Sequence, residues 1–240
     1  MRLIKIKDVK RIVFVGDIHG DLKASKKVIK EYLKPDNKIV FLGDYVDRGP
    51  KSKENLDFLL EIKNKNPKQI YLLQGNHEGH HILKFSPADF WESLNERDYK
   101  KYSSTVENFP LAVVTKDIIA LHGALPDVKS LAEINKIKLG SKQWQQIAWG
   151  DFLNETGEYL GTDPFTGRPQ FGQDYFLEIM KRFKKKVLIR SHQPNASLFM
   201  FDNQCLTIFT SSAYTRKRTI AIFDFKKSIK TAKDLEIKRI

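Results

Sequence analysis

The sequence predicts an α/β fold, a sandwich of two sheets with helices on the outside, and three observations carry that expectation. Short apolar runs of strand character recur along the chain, each followed within a residue or two by a polar residue able to bind metal or move protons. Stretches of helical period separate the first three runs. The end of the chain reads as short strands alone.

The apolar runs are Ile12 to Val15 before Gly16-Asp17-Ile18-His19-Gly20, and Ile39 to Leu42 before Gly43-Asp44-Tyr45-Val46-Asp47-Arg48-Gly49. Ile70 to Leu73 precedes Gln74-Gly75-Asn76-His77-Glu78, Ile118 to Leu121 precedes His122-Gly123, and Val187 to Ile189 precedes Arg190-Ser191-His192-Gln193. Continuous rather than alternating apolar character predicts strands buried on both faces, with ligands gathered at their carboxyl ends. Between them, Leu22, Val28, Ile29, Tyr32 and Leu33, then Leu56, Leu59 and Leu60 after a cap at Ser52, predict two helices and a βαβαβ start. A further helical region is expected from Ser86, as N-cap, through Pro87 in the first turn, lying over the site. Strands are expected over Leu198 to Phe201, Leu206 to Thr210 and Thr219 to Phe225, forming a second, largely antiparallel sheet.

With 240 residues, 41% of them apolar, the chain is long enough to bury a core and reads as one domain over residues 1–240. No apolar run approaches the ~20 residues of a membrane helix, which predicts neither a span nor a signal peptide. The single Cys205 has no disulfide partner in the chain, so a reducing cytoplasm is the expected compartment. A net charge of +13 favours anionic partners, but the lysines are scattered. Clusters at Lys184, Lys185 and Lys186 and at Arg216, Lys217 and Arg218 read as solvated faces, and no RNA-type pattern of aromatic and basic residues is present.

Each Gly-Asp or Gly-Asn corner alone could be a tight turn. Together they differ: four of the six histidines, His19, His77, His122 and His192, follow strand ends alongside Asp17, Asp44, Asp47 and Asn76. Such a mixed oxygen and nitrogen set suits borderline divalent metals. A two-metal centre needs a bridging carboxylate and flanking ligands, and the set is large enough. Arg48 offers a planar fork for phosphate oxygens, and His77 can donate a proton if a carboxylate such as Asp47 orients it.

Gly16-Asp17-Ile18-His19-Gly20, Gly43-Asp44-Tyr45-Val46-Asp47-Arg48-Gly49 and Gly75-Asn76-His77-Glu78 resemble the three hallmark motifs of the PPP family of protein serine/threonine phosphatases, within the calcineurin-like metallophosphoesterases. His122-Gly123 and Arg190-Ser191-His192-Gln193 resemble the later metal-binding motifs, in the same order. The resemblance implies a metallophosphoesterase-type β-sandwich of two mixed sheets flanked by helices, in four layers α/β/β/α. It implies that Asp17 and His19 hold one metal, that Asp44 bridges, and that Asn76, His122 and His192 hold the second. His77, paired with Asp47, would be the general acid, and Arg48 would bind the phosphate. Arg168, ahead of Phe171-Gly172, is similar to the family's second phosphate arginine at a shorter spacing; a solvated loop arginine is the alternative. Tyr214, in a shortened Ser211-Ser212-Ala213-Tyr214 loop, either covers the site or packs at its rim. Glu78 either supports the metal site or lies at the surface. Trp144 and Trp149 read as core, with flanking of the cleft as the alternative, and His80 and His81 as surface residues; Trp149-Gly150-Asp151 resembles a family tryptophan–aspartate segment near the site, with no role assigned to Asp151.

By that resemblance the chain is a metal-dependent phosphomonoester hydrolase, a serine/threonine protein phosphatase using two divalent cations and a metal-bound hydroxide, with no phosphoenzyme. Manganese is the cation expected in vitro, with iron, zinc or cobalt as alternatives. Phosphorylated proteins are the expected partners, with no membrane or nucleic acid, and a monomer is compatible with the sequence. Symmetrical diadenosine tetraphosphate hydrolases resemble the same motifs and supply the alternative activity, and a basic scaffold that binds polyanions supplies the non-enzymatic one.

Overall fold

The computed structural model describes residues 1–7, 9–214 and 218–240, so Arg216 and Lys217 lie outside the described residues. In chain order the elements are β1 (Leu3–Lys5), β2 (Arg11–Val15), α1 (Leu22–Tyr32), β3 (Asn37–Phe41), α2 (Ser52–Lys65), β4 (Ile70–Leu72), α3 (Asp89–Glu92), α4 (Glu96–Val106), β5 (Ala112–Val114) and β6 (Ile118–Leu121). They continue with α5 (Lys142–Trp149), β7 (Asp151–Phe152), β8 (Tyr159–Thr162), β9 (Pro169–Phe171), α6 (Gln173–Phe183), β10 (Val187–Arg190), β11 (Phe199–Met200), β12 (Cys205–Thr207), β13 (Thr219–Asp224) and β14 (Glu236–Arg239).

Among the described residues, a six-stranded sheet runs β1-β5-β6-β10-β12-β11 and a five-stranded sheet runs β14-β13-β2-β3-β4. Both are mixed. β2, β3 and β4 are mutually parallel, as the βαβαβ reading requires, and β13 adds antiparallel to β2. In the other sheet β6, β10 and β12 are parallel.

The continuous apolar runs divide by alternation between three cores. Ile12 and Phe14 of β2 and Ile118 and Ala120 of β6 face each other between the sheets. Val13 and Val15 turn outward onto the α1, α2 and α4 layer, and Ile119 and Leu121 turn onto α5 and α6. Each fully buried side chain of this kind contributes about 1.5–3 kcal/mol. The resulting order of layers is α/β/β/α.

Three expectations need correction. The C-terminal strands do not form a second antiparallel sheet: β11 and β12 extend the six-stranded sheet, with β12 parallel to β10, and only β13 and β14 join the other. Apolar patterning identifies a strand but not its neighbour, and here the chain changes sheets between β12 and β13. Ser86 is not an N-cap. α3 begins only at Asp89, Ser86 Oγ donates to Glu92 Oε1 at 3.1 Å, and the Pro87 carbonyl accepts from Arg48. Ser52 is the first residue of α2 rather than its cap, with Lys51 preceding it. A small sheet, β7-β9-β8, goes unpredicted because its Gly, Thr, Asp and Pro residues read as loop.

Candidate metal centre

Parallel strands end on the same side, so the loops after β2, β3 and β4 meet those after β6 and β10 along one rim of the sandwich. The two sheets are tied there: the Asp17 backbone N–H donates to Ser191 Oγ at 2.9 Å, and that of Gly16 donates to Thr210 Oγ1 at 2.9 Å. His19, Asp44, Asp47, Arg48 and His192 all adopt positive φ, a conformation that side chains rarely take and that clusters at functional sites. Gly75 is obligatory beside them, since a Cβ there would collide with Asp44 Oδ1.

Asp17, His19, Asp44, Asn76, His122 and His192 are all buried, and the fold brings all six together. His122 Nδ1 lies 3.0 Å from the Leu42 carbonyl, which can only accept, so Nδ1 carries the proton and Nε2 presents a lone pair. That Nε2 faces Asn76 Oδ1 at 3.0 Å, His192 Nδ1 at 3.1 Å and Asp44 Oδ2 at 3.4 Å. His19 repeats the device: Nδ1 donates to the Val46 carbonyl at 2.9 Å, and Nε2 faces Asp17 Oδ2 and Asp44 Oδ2, each at 3.7 Å. Buried acceptors pointed at one another repel unless a cation lies between them. The donor set therefore fits divalent metal, in two groups, His19/Asp44/His77 and Asp44/His122/His192, that share Asp44. His192 Nε2, without a hydrogen-bond partner, faces Asp151 Oδ1 at 3.5 Å, which leaves Nδ1 for the cluster.

The electrostatics follow from this crowding. Burial works to raise Asp44, but His122 and His77 outweigh it and hold the carboxyl well below its ordinary range. Burial lowers His19, yet the Asp17 and Asp44 carboxylates outweigh it and lift the ring to about 9. At His192 burial comes first, Arg168, His122 and Arg190 push the same way, and together they outweigh Asp44 and hold the ring well below its ordinary range.

His77 stands beside the shared carboxylate. Its Nδ1 meets Asp47 Oδ2 at 2.6 Å, its backbone N–H donates to Asp44 Oδ1 at 3.0 Å, and its Nε2 lies 4.0 Å from Asp44 Oδ2. The α3 segment does lie over the site, since the Phe90 N–H donates to Asp47 Oδ1 at 2.7 Å and Trp91 Nε1 to the His77 carbonyl at 2.7 Å. Glu78 is fully buried, not a surface carboxylate. Its Oε2 accepts the N–H groups of Asp44 at 2.8 Å and Gly75 at 3.0 Å, and its Oε1 accepts that of Tyr45 at 2.9 Å, joining the loops after β3 and β4.

At the rim, Arg48 Nε donates to the Tyr214 hydroxyl at 2.8 Å and Nη1 to the Pro87 carbonyl at 2.7 Å. The Tyr214 ring packs edge-on to His19 at 5.2 Å, so this tyrosine borders the site. Arg168 reaches it indirectly: Nη1 lies 3.9 Å from Asp151 Oδ2, whose other oxygen faces His192.

Sequence reasoning missed Phe85, whose ring rests on His77 at 4.8 Å and on Trp149 at 5.3 Å. Only its position, eight residues after His77, could have marked it. Trp144 is core as expected, and Trp149 takes the alternative position, flanking the centre with its ring 6.4 Å from His192. His80 is buried rather than at the surface, stacked on Trp91 at 5.8 Å.

A two-sheet sandwich with buried Asp, Asn and His at one rim is a metallophosphoesterase architecture. The chain belongs to the calcineurin-like phosphoesterases, whose family pattern matches residues 10–196. It is 30% identical over 237 residues to the serine/threonine-protein phosphatase rdgC of Drosophila melanogaster, covering 85% of this chain but only 35% of that protein. It is 27% identical over 216 residues to the serine/threonine-protein phosphatase 6 catalytic subunit of the same fly, covering 85% of this chain and 71% of the relative. A protein serine/threonine phosphatase from Saccharomyces cerevisiae, described as similar to human phosphatase PP5, shares the fold with a TM-score of 0.78 at 22% identity, over 99% of this chain and 82% of the other. These similarities agree with the resemblance read from the motifs.

Proposed function

We propose that the chain is a metal-dependent phosphoprotein phosphatase specific for phosphoserine and phosphothreonine. The observation that carries this reading is the convergence of two ligand groups on Asp44 with His77 and Arg48 beside them. Asp17 and His19 would hold one cation, Asn76, His122 and His192 the second, and Asp44 both. Two such cations supply Lewis acidity toward phosphoryl oxygen and activate water at neutral pH. Manganese is the cation we would supply.

The chain's own groups do the remaining work. Arg48 spends two of its five N–H groups on Tyr214 and Pro87, which fix the guanidinium plane, and turns the others to phosphate oxygens. Asp47 holds the His77 Nδ1 proton, so a second proton on Nε2 is the one delivered to the departing serine or threonine oxygen. Arg168 orients Asp151 against His192 and adds positive charge at that edge.

A second reading, hydrolysis of diadenosine tetraphosphate, draws on the Phe85 and Trp149 rings beside the centre, which could stack a base. Metal-stripped protein resupplied with manganese and offered a phosphothreonine peptide or the dinucleotide separates the two. Preference for the peptide by a wide margin is expected, and preference for the dinucleotide would overturn the proposal.

A further inference from the structure

Asp21 stands just ahead of α1, and its two carboxylate oxygens serve opposite directions. Oδ1 caps the helix, accepting the Ala24 backbone N–H at 3.0 Å. Oδ2 turns to the loop between β12 and β13, where it accepts the Ser212 backbone N–H at 3.1 Å, the Ser212 hydroxyl at 3.0 Å and Arg218 Nη1 at 3.1 Å. The side chain is only 9% exposed. Capping needs one oxygen and no buried charge, so the bonds to Ser212, 191 residues away in sequence, are not explained by α1.

Those bonds fasten the loop on both sides of Tyr214, since Ser212 precedes it and Arg218 follows it. Tyr214 is 45% exposed, so packing alone does not fix its ring, and no proline stiffens residues 211–218. Its hydroxyl nevertheless has a set partner, accepting from Arg48 Nε at 2.8 Å, and its ring meets the edge of His19 at 5.2 Å. A guanidinium on a long flexible stem binds phosphate well only if its plane is set beforehand, and the Tyr214 hydroxyl sets it together with the Pro87 carbonyl.

We infer that Asp21 is a positioning residue for phosphate binding, tying the loop to α1 so that the Tyr214 hydroxyl stands where it orients Arg48. The inference rests on the reading of Arg48 as the residue that takes the phosphate. Among the described residues the Asp21 side chain bonds to none of the clustered ligands, so its effect falls on phosphate binding rather than on the metals.

The test uses manganese-loaded protein with p-nitrophenyl phosphate as substrate and inorganic phosphate as competing inhibitor. Asp21→Ser keeps a capping oxygen for α1 but has none left for the loop. It should raise KM and the phosphate inhibition constant by about tenfold, as the loss of one hydrogen bond to a charged group does, with kcat and manganese affinity within about twofold of wild type. Arg218→Met, which leaves the helix untouched, should move both constants the same way by less, because Ser212 stays tied. Tyr214→Phe should raise both as Asp21→Ser does, and combining the two should add no more than about twofold, since a residue that acts through Tyr214 has nothing to act on once the hydroxyl is gone. Wild-type constants in Asp21→Ser and Arg218→Met, losses that multiply in the double variant, or a loss confined to manganese affinity would each overturn the inference. Arg48→Ala with both constants unchanged would instead remove the reading of Arg48 on which it rests, and the inference with it.

Discussion

Asp47 joins the acid side of the site to the helical segment above it: Oδ2 meets His77 Nδ1 at 2.6 Å while Oδ1 accepts the Phe90 backbone N–H at 2.7 Å. Both oxygens are engaged in a fully buried position, so the imidazole has one tautomer and one orientation.

Leaving-group dependence follows. His77→Ala should lower turnover of a phosphothreonine peptide by about 10²–10⁴-fold, the usual contribution of a general acid. The loss on p-nitrophenyl phosphate should be much smaller, because nitrophenolate leaves without a proton. Asp47→Asn should show the same pattern more weakly. Steady-state rates on the two substrates check this, and equal losses on both would remove His77 from the acid role.

Metal-free protein should lose stability as pH rises. His19, ordinarily near 6.5, is lifted to about 9, so the folded state holds its proton more tightly than the unfolded chain does. That contribution is complete below pH 6.5 and gone above about 9. His122 shifts the same way, and Glu78, raised to about 8 by burial and by the Asp44 charge, adds a loss between 4.5 and 8. Melting temperature of chelator-treated protein should therefore fall from pH 6.5 to 9, and the increment on adding manganese should grow, since cation and proton compete for the same atoms. A flat profile would contradict the cluster's electrostatics.

Glu78→Gln should destabilise the fold. An amide nitrogen at either oxygen position confronts a backbone N–H that now has an acceptor, at a cost of about 1–3 kcal/mol. For a chain of this size that lowers the melting temperature by roughly 2–4 °C per kcal/mol. Thermal denaturation with and without manganese reads it, and metal affinity should fall as well, because the clamped loop carries Asp44.

Cys205 should be inert in the folded protein. Burial pushes its thiol up to about 12, so thiolate is scarce at pH 8. Alkylation by iodoacetamide should proceed at the rate of unfolding and become fast in denaturant.

Much of this site was legible in the sequence because the parallel βαβαβ start fixes where strand ends go. Once Ile12 to Val15, Ile39 to Leu42 and Ile70 to Leu73 are buried strands, Asp17, Asp44 and Asn76 must share a rim. His122 and His192 join them through the parallel pair β6 and β10. What stayed hidden depends on contacts distant in sequence. Phe85 meets His77 only because the chain turns back before α3, and Asp151 meets His192 through a short strand that composition reads as loop. The buried clamp of Glu78 was likewise invisible, since nothing in an isolated carboxylate reveals three amide partners.

The most direct test of the central claim is a manganese titration of metal-free protein, following hydrolysis of a phosphothreonine peptide, in wild type and in Asp44→Asn. The expected result is activity that rises to saturation at two manganese ions per wild-type chain, and a correctly folded Asp44→Asn protein with its activity abolished and its metal affinity reduced. Peptide hydrolysis that needs no added metal, or that survives Asp44→Asn undiminished, would contradict it.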